Sequence, residues 1–195
     1  MLGHSHVLIG CAGVAVAEVI ARSQGTSIFG APLAWVPSEP VALPGLPLAM
    51  ACVAVGSLLP DLDHPRAALG NYRVVGIPVL KPAAIVTSAL LSHRGASHSL
   101  VLWALLTMLG MYIAGPAGLA PLAWAASLGY GLHLAADSLT KAGVPWLWPL
   151  RRQSFGFPPV RALRIHTGGL AENLLVACAV VAAIAAALNA SSPLL

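Results

Sequence analysis

Apolar residues in this chain come in long, nearly unbroken runs rather than in the alternating or three-four patterns of soluble elements. Five runs reach or approach the roughly 20 residues that a bilayer crossing needs. They lie at His6–Ala21, Leu46–Leu59, Ser97–Ala114, Leu119–Leu139 and Gly169–Leu188. The second is short and starts within a Pro-rich lead-in. A sixth run, Pro82–Leu91, is too short to span and reads as a re-entrant or interfacial helix. The Gly/Pro-rich link Gly115–Pro121 predicts a tight turn and an antiparallel pair on either side of it. Two longer connections, Asp61–Lys81 and Thr140–Thr167, separate the runs. No internal repeat is visible. The pattern predicts an all-α polytopic membrane bundle of about five transmembrane helices plus one short helix, forming a single domain over residues 1–195.

Composition agrees. Hydrophobic residues make up 58% of the chain, charged residues 8%, and the mean hydropathy is +0.84, too little charge to cover a soluble surface of this length. Cys11, Cys52 and Cys178 lie far apart inside apolar runs, which suits buried small residues and neither disulfides nor thiolate ligands. The net charge of +4 does not predict nucleic-acid binding, because the cations form no tract with interleaved aromatics. They fall in the connections instead. No cleavable leader is expected, since the first residues carry no Lys or Arg. With five crossings, one face receives Arg66, Arg73, Lys81, Arg94, Lys141, Arg151, Arg152, Arg161 and Arg164, and the other receives Arg22 alone. Cations are retained in the cytoplasm, so the expected topology in a bacterial inner membrane is N-terminus inside, C-terminus outside.

Against this background the ionisable residues stand out, because such groups are costly near a membrane and are commonly kept for function. His6 opens the first run, and PDLDHP (Asp61, Asp63, His64) closes the second. SHRGASHS (His93, Arg94, His98) precedes the third, HLAAD (His133, Asp137) ends the fourth, and Glu172 starts the fifth. All these ends fall on the face already selected by charge. His133 and Asp137 are four apart, so a helix projects both from one side. Asp61 and Asp63 follow Pro60, where two carboxylates repel unless a cation neutralises them. His93 and His98 flank a Gly turn, and Ser97 is a candidate cap for the helix that follows. Imidazole with carboxylate suits zinc, manganese or iron rather than calcium. A cation with an open position acidifies bound water and holds an anionic oxygen.

Other polar positions have plainer readings. Glu18 pairs with Arg22 at helical spacing or marks a polar cavity, the pair being favoured. Glu39 is a loop residue, His4 a solvated terminal residue that could replace His6, and His166 a weak ligand candidate. The Trp146–Pro149 run reads as an interfacial aromatic anchor.

At these residues the sequence resembles the YdjM-like family of inner-membrane proteins assigned as metal-dependent hydrolases. The resemblance rests on His6 with its apolar helix, GSLLPDLDHP (Gly56–Pro65), HRGASHSL (His93–Leu100) and GYGLHLAADSLTKAGVPWLWPL (Gly129–Leu150), with TGGLAE (Thr167–Glu172) a looser match. These blocks cover nearly the whole chain in order. More distantly, the scattered His and Asp residues, the helical His-x-x-x-Asp pair and the late Glu are similar to zinc-dependent phospholipases C. That second likeness implies phosphoester hydrolysis.

The expectation is therefore a membrane-bound hydrolase carrying one to three divalent metal ions, zinc foremost. Its candidate ligands are His6, Asp61, Asp63, His93, His98, His133, Asp137 and Glu172. Glu172 is also the candidate general base, Asp63 a ligand or an orienting partner, and Arg94 the candidate group for a substrate phosphate. The expected partners are membrane lipid and an amphiphilic, phosphate-containing substrate. The rival reading is a non-enzymatic protein with a structural or transport metal site. A transporter places ionisable groups near the membrane midplane, where only Glu18 comes close.

Overall fold

The computed structural model describes residues 1–29, 45–63, 73–74, 77–78, 81, 85 and 95–191. Within them five α-helices form: α1 (Gly3–Ser23), α2 (Leu46–Gly56), α3 (Leu100–Ala114), α4 (Ala120–Ser138) and α5 (Leu170–Ser191). A two-residue antiparallel ladder, β1 (Arg73–Val74) with β2 (Ile77–Pro78), is a minor addition to the all-helical plan. The short run Pro82–Leu91 falls outside the described residues apart from Ile85.

Local chemistry sets the helix ends. Gly25, at φ 73°, lets the chain leave α1 while its amide returns to Arg22 O and that of Thr26 to Ala21 O. Proline occupies the first turns of α2 and α4, where its missing N–H is no loss. The second apolar run stops being α-helical at Gly56, three residues before Leu59, and passes into a 3₁₀ turn over Pro60–Asp63. The cap of α3 is Ser99 rather than Ser97. Ser99 Oγ accepts from Leu102 N at 3.1 Å, and a 3₁₀ turn over Ala96–His98 precedes it.

Three of the helices are long and apolar enough to cross a membrane, over Gly3–Ser23, Leu100–Ala117 and Leu170–Asn189. The bundle is a helical membrane protein. α3 and α5 turn large apolar side chains outward, among them Leu105, Met108, Ile113, Val181 and Ile184, as lipid-facing helices do. α2 is apolar but only 11 residues long. α4 has 19 residues and is less apolar because it is the central helix and buries Ser127, His133 and Asp137. It packs on α1, α2 and α3, and α1 packs in turn on α5.

Glycine brings α2 and α4 together. A Cβ at Gly56 would lie 2.0 Å from Ala126 O, and one at Gly129 would lie 2.1 Å from Val53 O. Only hydrogen fits there, so the backbones approach as closely as in membrane helix pairs built on small residues. A Cβ at Gly10 of α1 would meet Ser57 Oγ at 2.3 Å. Three helices thus converge at Ser57, one turn from His6 on α1 and from His133 on α4. At the other end of α1 the buried Glu18 carboxylate accepts from Arg22 Nε at 2.6 Å, Ser27 Oγ at 2.8 Å and Ile28 N at 2.9 Å. The expected Glu18–Arg22 pair therefore forms, and it anchors the chain as it leaves α1.

Candidate metal centre

Five of the predicted residues meet at one end of the bundle. α1 brings His6, the Pro60–Asp63 turn brings Asp61, the Ala96–His98 turn brings His98, and α4 brings His133 and Asp137. Their ligand atoms form two overlapping groups, His6–His133–Asp137 and Asp61–His98–His133, each with all its ligand atoms within 4.8 Å. The i,i+4 pair is the shared core: His133 Nε2 lies 3.8 Å from Asp137 Oδ2.

Orientation comes from the neighbours. His133 Nδ1 is 2.8 Å from the carbonyl of Ser57, the residue that the glycine contact between α2 and α4 brings alongside. Donation to that carbonyl leaves a lone pair on Nε2. His98 Nδ1 is 3.0 Å from Ser97 Oγ, and the Ser97 carbonyl accepts from Tyr130 Oη. His98 Nε2 faces inward as well, 3.3 Å from His133 Nε2. From the same two nitrogens Asp61 Oδ1 is 3.6 and 3.9 Å away, and Asp137 Oδ2 is 3.7 and 3.8 Å away.

These separations suit a cation at the centre. Around a cation with bonds of about 2.0–2.1 Å in a tetrahedral arrangement, adjacent ligand atoms sit about 3.3–3.4 Å apart, and the imidazole–imidazole separation of 3.3 Å and the imidazole–carboxylate separations of 3.6–3.9 Å lie at or a little above that spacing. Two imidazole lone pairs facing each other at 3.3 Å also repel unless a proton or metal lies between them. His6 stacks on His133 with ring centroids 3.6 Å apart. Its ring nitrogens are fully buried and make no hydrogen bond of good geometry, although Nε2 lies 3.3 Å from Asp137 Oδ1. That carboxylate oxygen also meets the Met1 nitrogen at 2.5 Å. Burial would raise the pKa of Asp61, but its bond to His98 and the nearby imidazoles of His133, His98 and His6 outweigh that and hold it at about 2. The carboxylate is therefore ionised at any ordinary pH.

Glu172 is fully buried at the start of α5 but belongs to neither ligand group. Its oxygens accept from Leu2 N at 2.8 Å and Gly168 N at 2.9 Å, tying the start of α5 to the start of α1. Asp63 closes the 3₁₀ turn that carries Asp61. His93, Arg94 and His64 lie outside the described residues. His4 is exposed, and so is His166, whose Nδ1 lies beside Thr167 O. The Ser57 carbonyl and Ser97 hydroxyl escape a reading of side-chain types alone. The trace they leave is positional: Ser57 follows Gly56, and Gly129 precedes His133 by one turn.

A helical membrane bundle with a buried His/Asp cluster at one end is thus the class of protein defined here. The chain belongs to the YdjM inner membrane protein family, whose model matches residues 1–191. It is 44% identical over 99 residues to the inner membrane protein YdjM of Escherichia coli K12, and equally to that of Shigella flexneri. Those alignments cover 48% of this chain, and the chain spans about half the length of the relatives it matches, 45% in each case. No solved structure matches it.

Proposed function

We propose that the protein is a membrane-embedded metal-dependent hydrolase acting on a phosphate ester, such as a phospholipid or another amphiphile, at the cytoplasmic boundary of the inner membrane. The observation that carries the metal reading is the set of two imidazole nitrogens and two carboxylate oxygens, drawn from three separate segments and spaced 3.3–3.9 Å apart wherever an imidazole nitrogen is one of the pair. Asp61, His98, His133 and Asp137 would hold a divalent ion, with zinc the best fit to this donor set, and His6 would join through Asp137. A bound divalent ion supplies Lewis acidity and activation of water. The protein residues do the rest. The Ser57 carbonyl and the Ser97 hydroxyl fix the two imidazoles. Asp137, between His6 and the other ligands, keeps α1 and α4 in register. The two carboxylates give the pocket the negative charge that draws a cation in.

The cytoplasmic placement rests on the sequence: five crossings would put nine Lys and Arg residues on one face and Arg22 alone on the other. The phosphoester substrate rests on the ligand types and the distant likeness to zinc-dependent phospholipases C. The test is hydrolysis of a phosphodiester and phospholipid panel by protein purified in detergent, with and without chelator. Activity that vanishes on chelation, returns with zinc and is lost in Asp137→Asn supports the proposal. Stoichiometric metal with no turnover across the panel would leave a structural metal site and sink the enzymatic reading.

A further inference from the structure

The connection between α4 and α5 carries five cations and no acidic residue from 139 to 171. It is firmly held. Phe157 N donates to Ser138 O at 2.8 Å, Val144 and Phe155 exchange backbone bonds at 2.8 and 2.9 Å, and Lys141 N and Ile165 N tie the two ends of the loop together. Leu100 N reaches Trp146 O at 3.0 Å, fixing the loop to the start of α3. Arg164 is used internally, donating to Pro158 O at 2.8 Å and Pro159 O at 3.0 Å.

This fixed backbone holds large apolar side chains away from the protein. Leu150 is 85% exposed, Leu163 71%, Phe157 66% and Val160 57%, and Arg151, Arg152 and Arg161 between them are exposed too. A rigid loop that presents leucine and phenylalanine outward is a poor water-facing surface. Its far end opens α5, whose candidate span begins at Leu170, and Trp146 joins it to the start of α3, whose candidate span begins at Leu100, so the loop lies beside the ends of two candidate crossings. Apolar side chains interleaved with arginines that meet no carboxylate among the described residues suit an interface where acyl chains and anionic phosphates lie within a few ångströms.

We propose that the 144–164 loop is an interfacial plate seated on the anionic lipid surface of the leaflet beside the His/Asp cluster. Leu150, Phe157, Val160 and Leu163 enter the acyl–headgroup boundary, and Arg151, Arg152 and Arg161 bind the phosphates of anionic lipids. The charge complementarity is one-sided, because the loop holds no carboxylate of its own. The proposal does not depend on the metal.

The test places an environment-sensitive fluorophore on Phe157→Cys or Leu163→Cys in a background with Cys11, Cys52 and Cys178 changed to Ala, reconstituted in nanodiscs of mixed phosphatidylcholine and phosphatidylglycerol. Quenching by lipid-borne nitroxide near the glycerol level, with protection from aqueous iodide, is the expected result. Iodide quenching without nitroxide quenching overturns the proposal. Protection from both reagents overturns it too, since a second protein surface would then cover the loop. On the natural cysteine background, the triple variant Arg151→Gln, Arg152→Gln, Arg161→Gln should lose its preference for retaining phosphatidylglycerol over phosphatidylcholine by about ten-fold or more. An unchanged preference in that variant refutes the arginine contacts.

Discussion

His98 Nε2 and His133 Nε2 face each other across 3.3 Å, although 35 residues separate them in the chain. One imidazole is delivered by a 3₁₀ turn before α3 and the other by the buried face of α4. Their meeting is a tertiary event, and substitutions that spare the helices can abolish it. His133→Ala and Asp137→Ala should each reduce metal in the purified protein from stoichiometric to background, while membrane insertion persists. Elemental analysis of detergent-purified variants checks this, and undiminished metal in both would remove the central claim.

The glycine contact between α2 and α4 should matter even though neither glycine touches the cluster. Gly129→Ala must push Val53 O away and with it the Ser57 carbonyl that orients His133. A loss of about 1–3 kcal/mol in stability is expected from overpacking, together with weaker metal retention. Gly115→Ala, where a Cβ would meet nothing within 4 Å, is the control and should be near neutral. Thermal unfolding in detergent separates the two.

Glu172 acts as a strut in this fold, so its variants should follow hydrogen-bond capacity rather than charge. Glu172→Ala leaves the amides of Leu2 and Gly168 without their acceptor and should cost about 1–3 kcal/mol. Glu172→Gln keeps one oxygen and should retain much of the stability and metal. If Glu172→Gln matches Glu172→Ala in metal loss while its melting temperature stays unchanged, the residue is a ligand after all.

Glu18 provides the opposite dissociation. It lies 12 residues, or about 18 Å of helix, from His6. Glu18→Ala removes the acceptor of the Ser27 hydroxyl and the Ile28 amide and should destabilise the fold by about 1–3 kcal/mol. Metal content of the folded fraction should be unaffected, which elemental analysis after size exclusion would show.

The response to pH has a definite sign. A carboxylate held at about 2, below its ordinary 3.8, contributes stability that is present in full above 3.8 and is lost as pH falls toward 2. Any metal release between about pH 7 and 5 therefore comes from imidazole protonation. Asp61→Asn should lower metal affinity at every pH in that window and so move the midpoint of release, at fixed metal concentration, to higher pH.

The order of apolar runs and the His133–Asp137 spacing made both the bundle and the core of its cluster legible in the sequence, because helical periodicity alone places those two side chains together. Asp61 and His98 were legible as ligand types at the ends of runs. Three things were hidden. A carboxylate in the first turn of a helix reads the same whether it binds a metal or backbone amides, and only the approach of Leu2 and Gly168 assigned Glu172 to the amides. The cap at Ser99 rather than Ser97 turned on a 3₁₀ turn that no period announces. The contacts at Gly56 and Gly129 involve backbones that meet from different helices, and hydropathy carries no trace of them.

Of the five clustered side chains, His6 and His133 are 0% exposed, His98 1% and Asp137 3%, whereas Asp61 is 27% exposed. Asp61 is thus the threshold of the chamber. Among the described residues this carboxylate would be the way in and out for the ion proposed above, and charge at that one position would set how fast the cluster loads and how readily a chelator strips it.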